Sequence, residues 1–520
     1  AIMSAKISPL RWGVDSAGSV EHIERKPWVR ELLDEFGFDL WMDHLSPQPR
    51  VADTADKLRG LDQFAGEHGI RWMSNVEHAN FAKGFKDDQE REWYHKPDGR
   101  YYFQFPPELL ELLGSCRHLQ GLMYDEAEHM QNCANSIGHA NKPWLYAPAP
   151  GTPLSAAAEG FEAAAAEMAA LHARYGIQLY TEHVFPVLFH SFNRAGWTAG
   201  SKGLKENYTP AFIACALGAA KQYGRELWLT PDFWWMFDCP GHTPDEYRSA
   251  LLMAYHMGAD CIYTENLAWY REERYPSWGP TLIEADEGGY RTAPLGEVAR
   301  WFRKEYINTH PRSYTFEEVQ PRVVIIRQED ACWGQAFSWL PDTLFGSSMW
   351  PSTRTTEAWL RLWHLLSRGV ISATKLSWNA TFAAAEERFR FFCPLDGVVV
   401  YDHRVQTPLL EGVEVIFLTG IGILPETQQA AADCVRSGAL CVSLPHLAPE
   451  RVRRTTGEDG ELADGAGKWL VTPDFLAPGV RKAVRHILPP YDTMRYRFGN
   501  TEVRFRMLDD DPSRIEVELS

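Results

Sequence analysis

Short apolar segments alternate with longer amphipathic ones over about the first 310 residues. Residues 10–14, 38–42 and 70–76 are apolar runs of strand length. Between the first two runs, apolar residues recur at intervals of three and four, which is the period of an amphipathic helix, and Gly37 follows as a stop signal. The pattern predicts strands and helices in strict alternation.

Four further strands are predicted at residues 119–124, 177–181, 226–230 and 261–264, which gives seven strand–helix units. Repeated units of this kind require a parallel sheet with right-handed crossovers. We expect a (β/α)8 barrel, with its missing strand in residues 79–116 or 131–155. A doubly wound open sheet is the alternative, but it would gather polar residues at one switch point rather than at nearly every strand end.

The remaining chain predicts two smaller units. Residues 308–320 are polar and contain Pro311, as in a linker. Strands and helices alternate again over residues 320–448, which predicts a flavodoxin-like α/β domain, and short alternating segments over 449–520 predict a small β-rich domain. The barrel is assigned to residues 1–312.

The predicted barrel strands end in polar residues, and carboxylates are frequent among them. Asp125, Glu126 and Glu128 follow one strand, while Glu182 and Glu265 follow two others. The carboxyl ends of barrel strands are where active sites are built. The alternative explanation for residues 125–128 is an acidic first helical turn, which the helix dipole favours.

Composition excludes several partners. The net charge is −17, from 52 basic and 69 acidic residues, which argues against nucleic acid and anionic membranes. No apolar run reaches transmembrane length. Nine Cys without a CxxC motif argue against a disulfide framework, and with no signal peptide in this chain they favour the cytoplasm. The 20 Trp suit a sugar cleft, although a large core would also use them.

Two stretches resemble the retaining β-galactosidases of glycoside hydrolase family 42. The first runs from residues 224–232 to a strand that begins with Gly258-Ala259-Asp260, and the second runs from residues 416–420 to a helix that ends at Ser437-Gly438. The resemblance implies a (β/α)8 barrel, a class I glutamine-amidotransferase-like domain and a small β domain. The second domain has no Gly-x-Cys-x-Gly nucleophile turn, so we expect it to serve oligomer contacts or to close the barrel mouth.

The resemblance also implies two catalytic positions. The family's Asn-Glu acid/base pair appears here as Asp125-Glu126, and its nucleophile at the end of the seventh strand appears as Asp232. Glycoside hydrolysis needs one protonated and one ionised carboxyl group across the scissile bond. Glu126 is the first candidate for the acid, and its partner is Glu265, Glu182 or Asp232.

We predict a glycoside hydrolase that acts on an oligo- or polysaccharide with retention of configuration, without a metal or other cofactor and as a homo-oligomer. The predicted sugar-binding residues are Trp12, Asp43, His44, Glu77, His78, Tyr124, Asp125, Trp234, Trp235 and Asn266. One alternative is a divalent-metal-dependent sugar isomerase or lyase, since carboxylates precede histidines at 43–44, 77–78, 128–129 and 182–183. Another is a non-catalytic carbohydrate-binding barrel.

Overall fold

The computed structural model describes residues 9–44, 50–76, 104–133, 145–146, 148–204, 208–233, 242–270, 280–329, 353–374 and 391–520. Within these ranges the chain forms an α/β structure in which a closed barrel precedes further sheets.

Eight parallel strands close into the barrel, each hydrogen-bonded to its neighbours in chain order. The first strand pairs with the eighth, with Arg11 opposite Cys261. The strands are β1 (Arg11–Asp15), β2 (Leu40–His44), β3 (Arg71–Asn75), β4 (Leu119–Asp125), β5 (Leu179–His183), β6 (Thr198–Gly203), β7 (Trp228–Pro231) and β8 (Cys261–Thr264). The predicted (β/α)8 barrel is confirmed.

The strand that the sequence pattern did not reveal is β6, so its predicted location in residues 79–116 or 131–155 was wrong. Its sequence, from Thr198 to Gly203, is small and polar and contains Lys202. Small residues are needed here, because a Cβ on Gly200 would lie 3.2 Å from the Cβ of Trp228 on the next strand. β6 therefore lacks an apolar run, although it pairs with a neighbouring strand on each side.

Helices follow the barrel strands and pack against them. In the first of these, Val29, Leu32, Leu33 and Phe36 are buried on one face, and Gly37 ends the helix at φ 65°. The helices of this part are α1 (Val29–Phe36), α2 (Val51–His68), α3 (Pro107–Ser115), α4 (Ala127–Cys133), α5 (Leu154–Ala173), α6 (Phe189–Ala195), α7 (Thr209–Tyr223), α8 (Pro244–His256) and α9 (Pro294–Trp301).

A separate apolar cluster, distinct from the core that joins strands to helices, fills the barrel interior. It contains Met42, Met73, Met123, Tyr180 and Trp228, all buried. Such packing leaves no channel through the barrel, so chemistry is confined to its rim. After β8, a small sheet is formed by β9 (Ala268–Tyr270), β10 (Ile283–Ala285) and β11 (Tyr290–Thr292).

A second sheet is formed by β12 (Val323–Gln328), β14 (Val398–Asp402), β15 (Val415–Gly420), β16 (Leu440–Ser443), β17 (Gly460–Asp464) and β18 (Gly467–Val471), in the strand order β14-β12-β15-β16-β18-β17. Its first four strands are parallel in the order 2-1-3-4, as in flavodoxin-like folds, and a hairpin that lies beyond residue 448 extends it. Its helices are α10 (Arg354–Leu366), α11 (Pro425–Arg436), α12 (Glu450–Thr456) and α13 (Pro478–Ala483).

The last sheet is formed by β13 (Leu395–Asp396), β19 (Thr493–Phe498), β20 (Thr501–Leu508) and β21 (Asp511–Leu519). Both later sheets contact the barrel. Helix α7 approaches β14 so closely that a Cβ on Gly218 would lie 1.7 Å from Val400 O. On α8, Ser249 Oγ donates to Ser513 O at 2.7 Å and accepts from Ile515 N at 3.1 Å.

Within the described ranges, no helix combines the length and apolarity that crossing a bilayer requires. The domain boundaries, the oligomeric state and the cellular compartment stay predictions.

Candidate active site

The carboxyl ends of all eight barrel strands bring polar side chains to one rim. Because the strands are parallel, their carboxyl ends lie on the same side of the barrel. The contributing residues, in strand order, are Asp15, His44, Asn75, Asp125 with Glu126, Glu182, Lys202, Asp232 and Glu265. All except His44 are buried.

Lys202, on β6, lies among five carboxylates that come from four other strand ends. The distances from its Nζ are 3.1 Å to Asp125 Oδ1, 3.2 Å to Glu126 Oε1, 3.0 Å to Glu182 Oε1, 3.3 Å to Asp232 Oδ2 and 3.3 Å to Glu265 Oε1. We refer to these six residues as the Lys202 cluster. One ammonium group thus links the ends of β4, β5, β7 and β8.

The charge of Lys202 is maintained by its neighbours. Burial opposes an ammonium ion, but Asp125, Glu182 and the other carboxylates outweigh this effect and raise the pKa of Lys202 well above its ordinary value. At neutral pH the side chain is therefore a cation that cannot leave its partners without leaving several buried acids unpaired.

Two of the acids are better suited to hold a proton than to lose it. Burial, followed by the charge of Asp125, raises the pKa of Glu182 well above its ordinary value, although Lys202 opposes the shift. Burial, followed by the charge of Asp232, raises the pKa of Glu265 in the same way. Carboxyl groups this close together cannot all be ionised beside a single ammonium group.

A hydrogen-bonded chain extends the cluster toward β1. His44 Nε2 lies 2.7 Å from Asp15 Oδ2 and 3.2 Å from Asn75 Nδ2, and Asn75 Nδ2 donates to Asp125 Oδ2 at 3.2 Å. Burial raises the pKa of Asp15, while His44 acts in the opposite direction. Asn75 thus holds Asp125 at Oδ2, while Lys202 contacts Asp125 Oδ1.

Two residues of the rim have left-handed backbones. Glu126 has φ 49° and Asn266 has φ 64°, and each follows a barrel strand. Residues other than glycine adopt this conformation at a cost, and such strain is concentrated at functional sites. Glu126 N also donates to Glu182 O at 3.1 Å, which ties the turn after β4 to β5.

Glu128 fixes the loop that follows β5. Its Oε1 accepts hydrogen bonds from Val184 N at 2.6 Å and from Phe185 N at 3.1 Å, and the side chain is fully buried. This contact holds the segment directly after Glu182 and His183.

Two groups of side chains have the spacing of metal ligands. Asp125, Glu182 and Glu265 bring carboxylate oxygens within 4.8 Å of one another, and Asp15, His44 and Glu265 form a second such group. Carboxylate and imidazole ligands suit divalent cations such as Mn²⁺ or Zn²⁺. All three residues of the first group also contact Lys202, so a cation there would have to displace the ammonium group.

All four predicted catalytic residues, Glu126, Glu265, Glu182 and Asp232, meet in the Lys202 cluster. Of the predicted sugar-binding residues, Asp125 belongs to the cluster and His44 contacts it, while Asn266 follows Glu265 in a buried position. Glu77, His78, Trp234 and Trp235 lie outside the described residues.

Three other predicted sugar-binding residues lie away from the cluster. Trp12 is fully buried and donates from Nε1 to Phe36 O, within the packing between β1 and α1. Tyr124 is also fully buried, and its ring packs edge-on against Trp197. Asp43 pairs with Lys57 of α2 at 3.0 Å.

The sequence reasoning missed Lys202, Asp15 and Asn75 as site residues. Asp15 directly follows an apolar run, so the rule applied to other strand ends would have found it. Asn75 lies within the predicted strand 70–76, where that rule selected Glu77 and His78 instead. Lys202 gave no such signal, because its strand lacks an apolar run.

No family model matches this chain, and no curated protein matches it. Solved structures with some similarity include the exo-β-1,4-mannosidase from Opitutaceae bacterium strain TAV5, at 14% identity and a TM-score of 0.49 over 86% of this chain and 80% of that chain. GH5_18 from Streptomyces cattleya in complex with GlcNAc has 16% identity and a TM-score of 0.41 over 76% and 99%. GH5_18 from Bifidobacterium longum subsp. longum has 14% identity and a TM-score of 0.42 over 76% and 97%.

These TM-scores are all below 0.5. The comparisons do not confirm the resemblance to glycoside hydrolase family 42, nor the amidotransferase-like character of the second unit.

Proposed function

We propose that the protein is a retaining glycoside hydrolase in which Glu126 is the acid/base and Asp232 is the nucleophile. The observation that carries this proposal is the convergence of carboxylates from β4, β5, β7 and β8 on Lys202 Nζ. Pairs of carboxylates at a barrel rim are the machinery of glycoside hydrolysis.

The separation of the two carboxylates favours retention. Glu126 Oε1 and Asp232 Oδ2 lie 3.2 and 3.3 Å from the same nitrogen atom. They are therefore at most about 6.5 Å apart, which suits retaining enzymes better than inverting ones, whose carboxyl groups are separated by roughly 6.5–9.5 Å.

Burial supports the role of Glu126. Its side chain is 10% exposed, whereas those of its four acidic neighbours are at most 2% exposed. The acid has to reach the oxygen atom of the departing sugar, so the most accessible carboxyl group is the best candidate.

Two arguments support Asp232 as the partner. The raised pKa values of Glu182 and Glu265 make those two residues poor nucleophiles. In addition, Glu126 and Asp232 directly follow the fourth and seventh barrel strands, which are the positions that the family resemblance implies for the acid/base and the nucleophile.

The proposed reaction has two steps. Asp232 attacks the anomeric carbon while Glu126 donates a proton to the leaving oxygen, which gives a covalent glycosyl-enzyme. Glu126 then takes a proton from water, and the water attacks the anomeric carbon and releases Asp232. Lys202 holds both carboxylates in place and balances part of their charge.

The decisive experiment compares Glu126→Ala and Asp232→Ala on a panel of 4-nitrophenyl glycosides. We expect Asp232→Ala to lose at least about a thousandfold in kcat/KM. Glu126→Ala should lose its activity mainly in kcat, because 4-nitrophenolate leaves without acid assistance whereas attack by water needs the base, and azide should restore turnover in both variants. Azide should give a glycosyl azide of retained configuration with Glu126→Ala and of inverted configuration with Asp232→Ala, because it replaces water in one case and the nucleophile in the other.

Asp43→Asn is the matched control, since Asp43 is a buried rim carboxylate that pairs with Lys57 instead of Lys202. It should retain nearly wild-type activity. Wild-type rates in Glu126→Ala would remove Glu126 from the mechanism.

A metal-dependent sugar isomerase or lyase is the second candidate, because Asp125, Glu182 and Glu265 have ligand spacing. Elemental analysis of the purified protein distinguishes the two. One equivalent of Mn, Co or Zn, with activity lost on chelation, would favour the metal-dependent enzyme. Binding of sugars without any turnover would instead favour a carbohydrate-binding barrel.

A further inference from the structure

A second cavity lies between the barrel and the α/β unit, separate from the Lys202 cluster. Its volume is about 620 Å³ including its opening to solvent. The barrel contributes α5, α6 and the loop before α6, and the α/β unit contributes α10 and the carboxyl ends of β12 and β14. The carboxyl ends of parallel strands are where open α/β sheets bind ligands.

The charged groups around this cavity are paired with one another. Arg194 forms ion pairs with Glu162 and with Asp402. Arg327 lies 4.0 Å from Glu329 and stacks on Trp359, with its guanidinium carbon 4.3 Å from the ring centroid. The lining therefore offers neither a net positive nor a net negative charge to a ligand.

The two histidines of the lining are neutral at physiological pH. Burial lowers the pKa of His190 to about 4 and that of His403 to about 4, although Asp402 opposes the shift in both cases. They can therefore donate and accept hydrogen bonds without adding charge.

Some polar groups of the lining nevertheless have unused hydrogen-bonding positions. His403 is 8% exposed, and its Nδ1 has no hydrogen-bond partner among the described residues, while its Nε2 accepts a long contact of 3.5 Å from Arg404. His190 Nε2 donates to Val400 O at 2.9 Å, which leaves Nδ1 as an acceptor in the neutral ring. Ser191 adds a half-buried hydroxyl group.

The other face of the cavity is apolar. Leu188, Phe189 and Trp359 contribute to it, with Phe189 fixed by stacking on His183 at 4.2 Å between ring centroids. An apolar wall opposite a few hydrogen-bonding groups is the usual composition of a small-molecule site.

We infer that this cavity binds an uncharged, polyhydroxylated compound the size of one sugar ring. The paired charges disfavour an anionic or cationic ligand, the aromatic wall suits the C–H face of a pyranose, and the unused hydrogen-bonding groups suit its hydroxyls. Because much of that volume is open to solvent, one ring would be only partly enclosed. The inference does not depend on the proposed hydrolysis.

The test is calorimetric titration of the full-length chain at pH 7 with D-glucose, D-galactose and D-mannose. D-Glucuronate and D-glucosamine serve as charged counterparts. Ala158 lines the cavity from α5, and Ala158→Trp should fill it, whereas Ala156→Trp places the same side chain on the exposed side of that helix.

We expect at least one neutral sugar to bind with saturation. Ala158→Trp should weaken its Kd by at least about tenfold and Ala156→Trp by less than about twofold. Ser191→Ala, which removes only one hydroxyl group, should weaken it by about threefold or more and guards against misfolding of the Trp variant.

Three outcomes would overturn the inference. They are absence of saturable binding of all three neutral sugars up to about 50 mM, an affinity that Ala158→Trp leaves unchanged, or tighter binding of a charged counterpart. Failure of the hydrolase proposal is distinguishable, since the azide experiment uses other residues and reports on turnover.

Discussion

Lys202 is held by opposing effects that can be separated by experiment. Burial of an ammonium ion is costly, and so is burial of the five carboxylates around it. The attraction between the ammonium group and the carboxylates offsets these desolvation costs, because it is strong in a poorly solvated site. Removal of either side therefore leaves uncompensated buried charge.

Lys202→Met is expected to destabilise the protein by about 3–5 kcal/mol at pH 8. The effect should be smaller at pH 5 by about 1 kcal/mol or more. Glu182 and Glu265 have raised pKa values in the folded protein, so their protonated forms favour folding at low pH, and that contribution is lost as pH rises through the folded pKa values. Without Lys202 the pKa values of Glu182 and Glu265 rise further, so the variant loses more stability between pH 5 and pH 8 than the wild type does. Urea unfolding at both pH values measures the difference.

Lys221→Met is the control for that experiment. Lys221 Nζ donates to Glu317 O at 2.8 Å and Val319 O at 2.6 Å, both backbone carbonyl groups. Its removal should cost nearly the same at pH 5 and pH 8. An equal cost for Lys202→Met at both pH values would contradict the account of the cluster.

The acidic residues of the cluster could be predicted from the sequence, but Lys202 could not. Glu126, Glu182 and Glu265 each follow an apolar run, and charge at the end of a buried strand is visible in the sequence. Lys202 lies inside a strand whose pattern gives no such contrast. Its role depends on partners up to 77 residues before it and 63 after it, which no local pattern records.

Among the elements, helix α7 is one of those that join the barrel to the α/β unit. Residues 209–220 are all buried, as expected for a helix covered on both sides. Thr209-Pro210 at its start and Gly224 at its end are helix signals in the sequence, and the absence of a polar face between them is the sign that another sheet covers the helix.

Gly218→Ala should destabilise the protein by about 1–3 kcal/mol or more, because the added methyl group would meet Val400 O at 1.7 Å, and backbone cannot move aside cheaply. Gly60→Ala, in α2, is the matched control. Gly60 is exposed with nothing within 4 Å of the added Cβ, so this substitution should stabilise by about 0.5–1 kcal/mol.

Chemical denaturation of the two variants measures both values. A neutral effect of Gly218→Ala would mean that α7 and β14 are less tightly packed than described.

For the whole molecule, the barrel and the two later sheets share buried surfaces. Contacts between α7 and β14 and between α8 and β21 join elements that are about 180 and 265 residues apart in the chain. Periodicity predicted the barrel and the second α/β unit because each is built from local repeats. It could not predict how they pack, since packing depends on shape across long separations.

We expect the full-length chain to unfold in one cooperative transition. Because the surfaces are shared, unfolding of the barrel would expose the apolar face of the α/β unit, and unfolding of the α/β unit would expose the apolar face of the barrel. Calorimetric and van 't Hoff enthalpies should therefore agree, and far-UV and near-UV circular dichroism should give coincident midpoints. Two resolved transitions would show that the units are energetically independent.

Closure of the barrel by β1 and β8 has a consequence for synthesis on the ribosome. β1 is made early, yet its second neighbour is complete only about 250 residues later, which at about 5–20 residues per second takes roughly 12–50 s. During that interval one edge of the nascent sheet stays open. Asp15 and Glu265 cannot meet before β8 emerges, so the rim proposed to be the active site is completed only at the last step of barrel assembly.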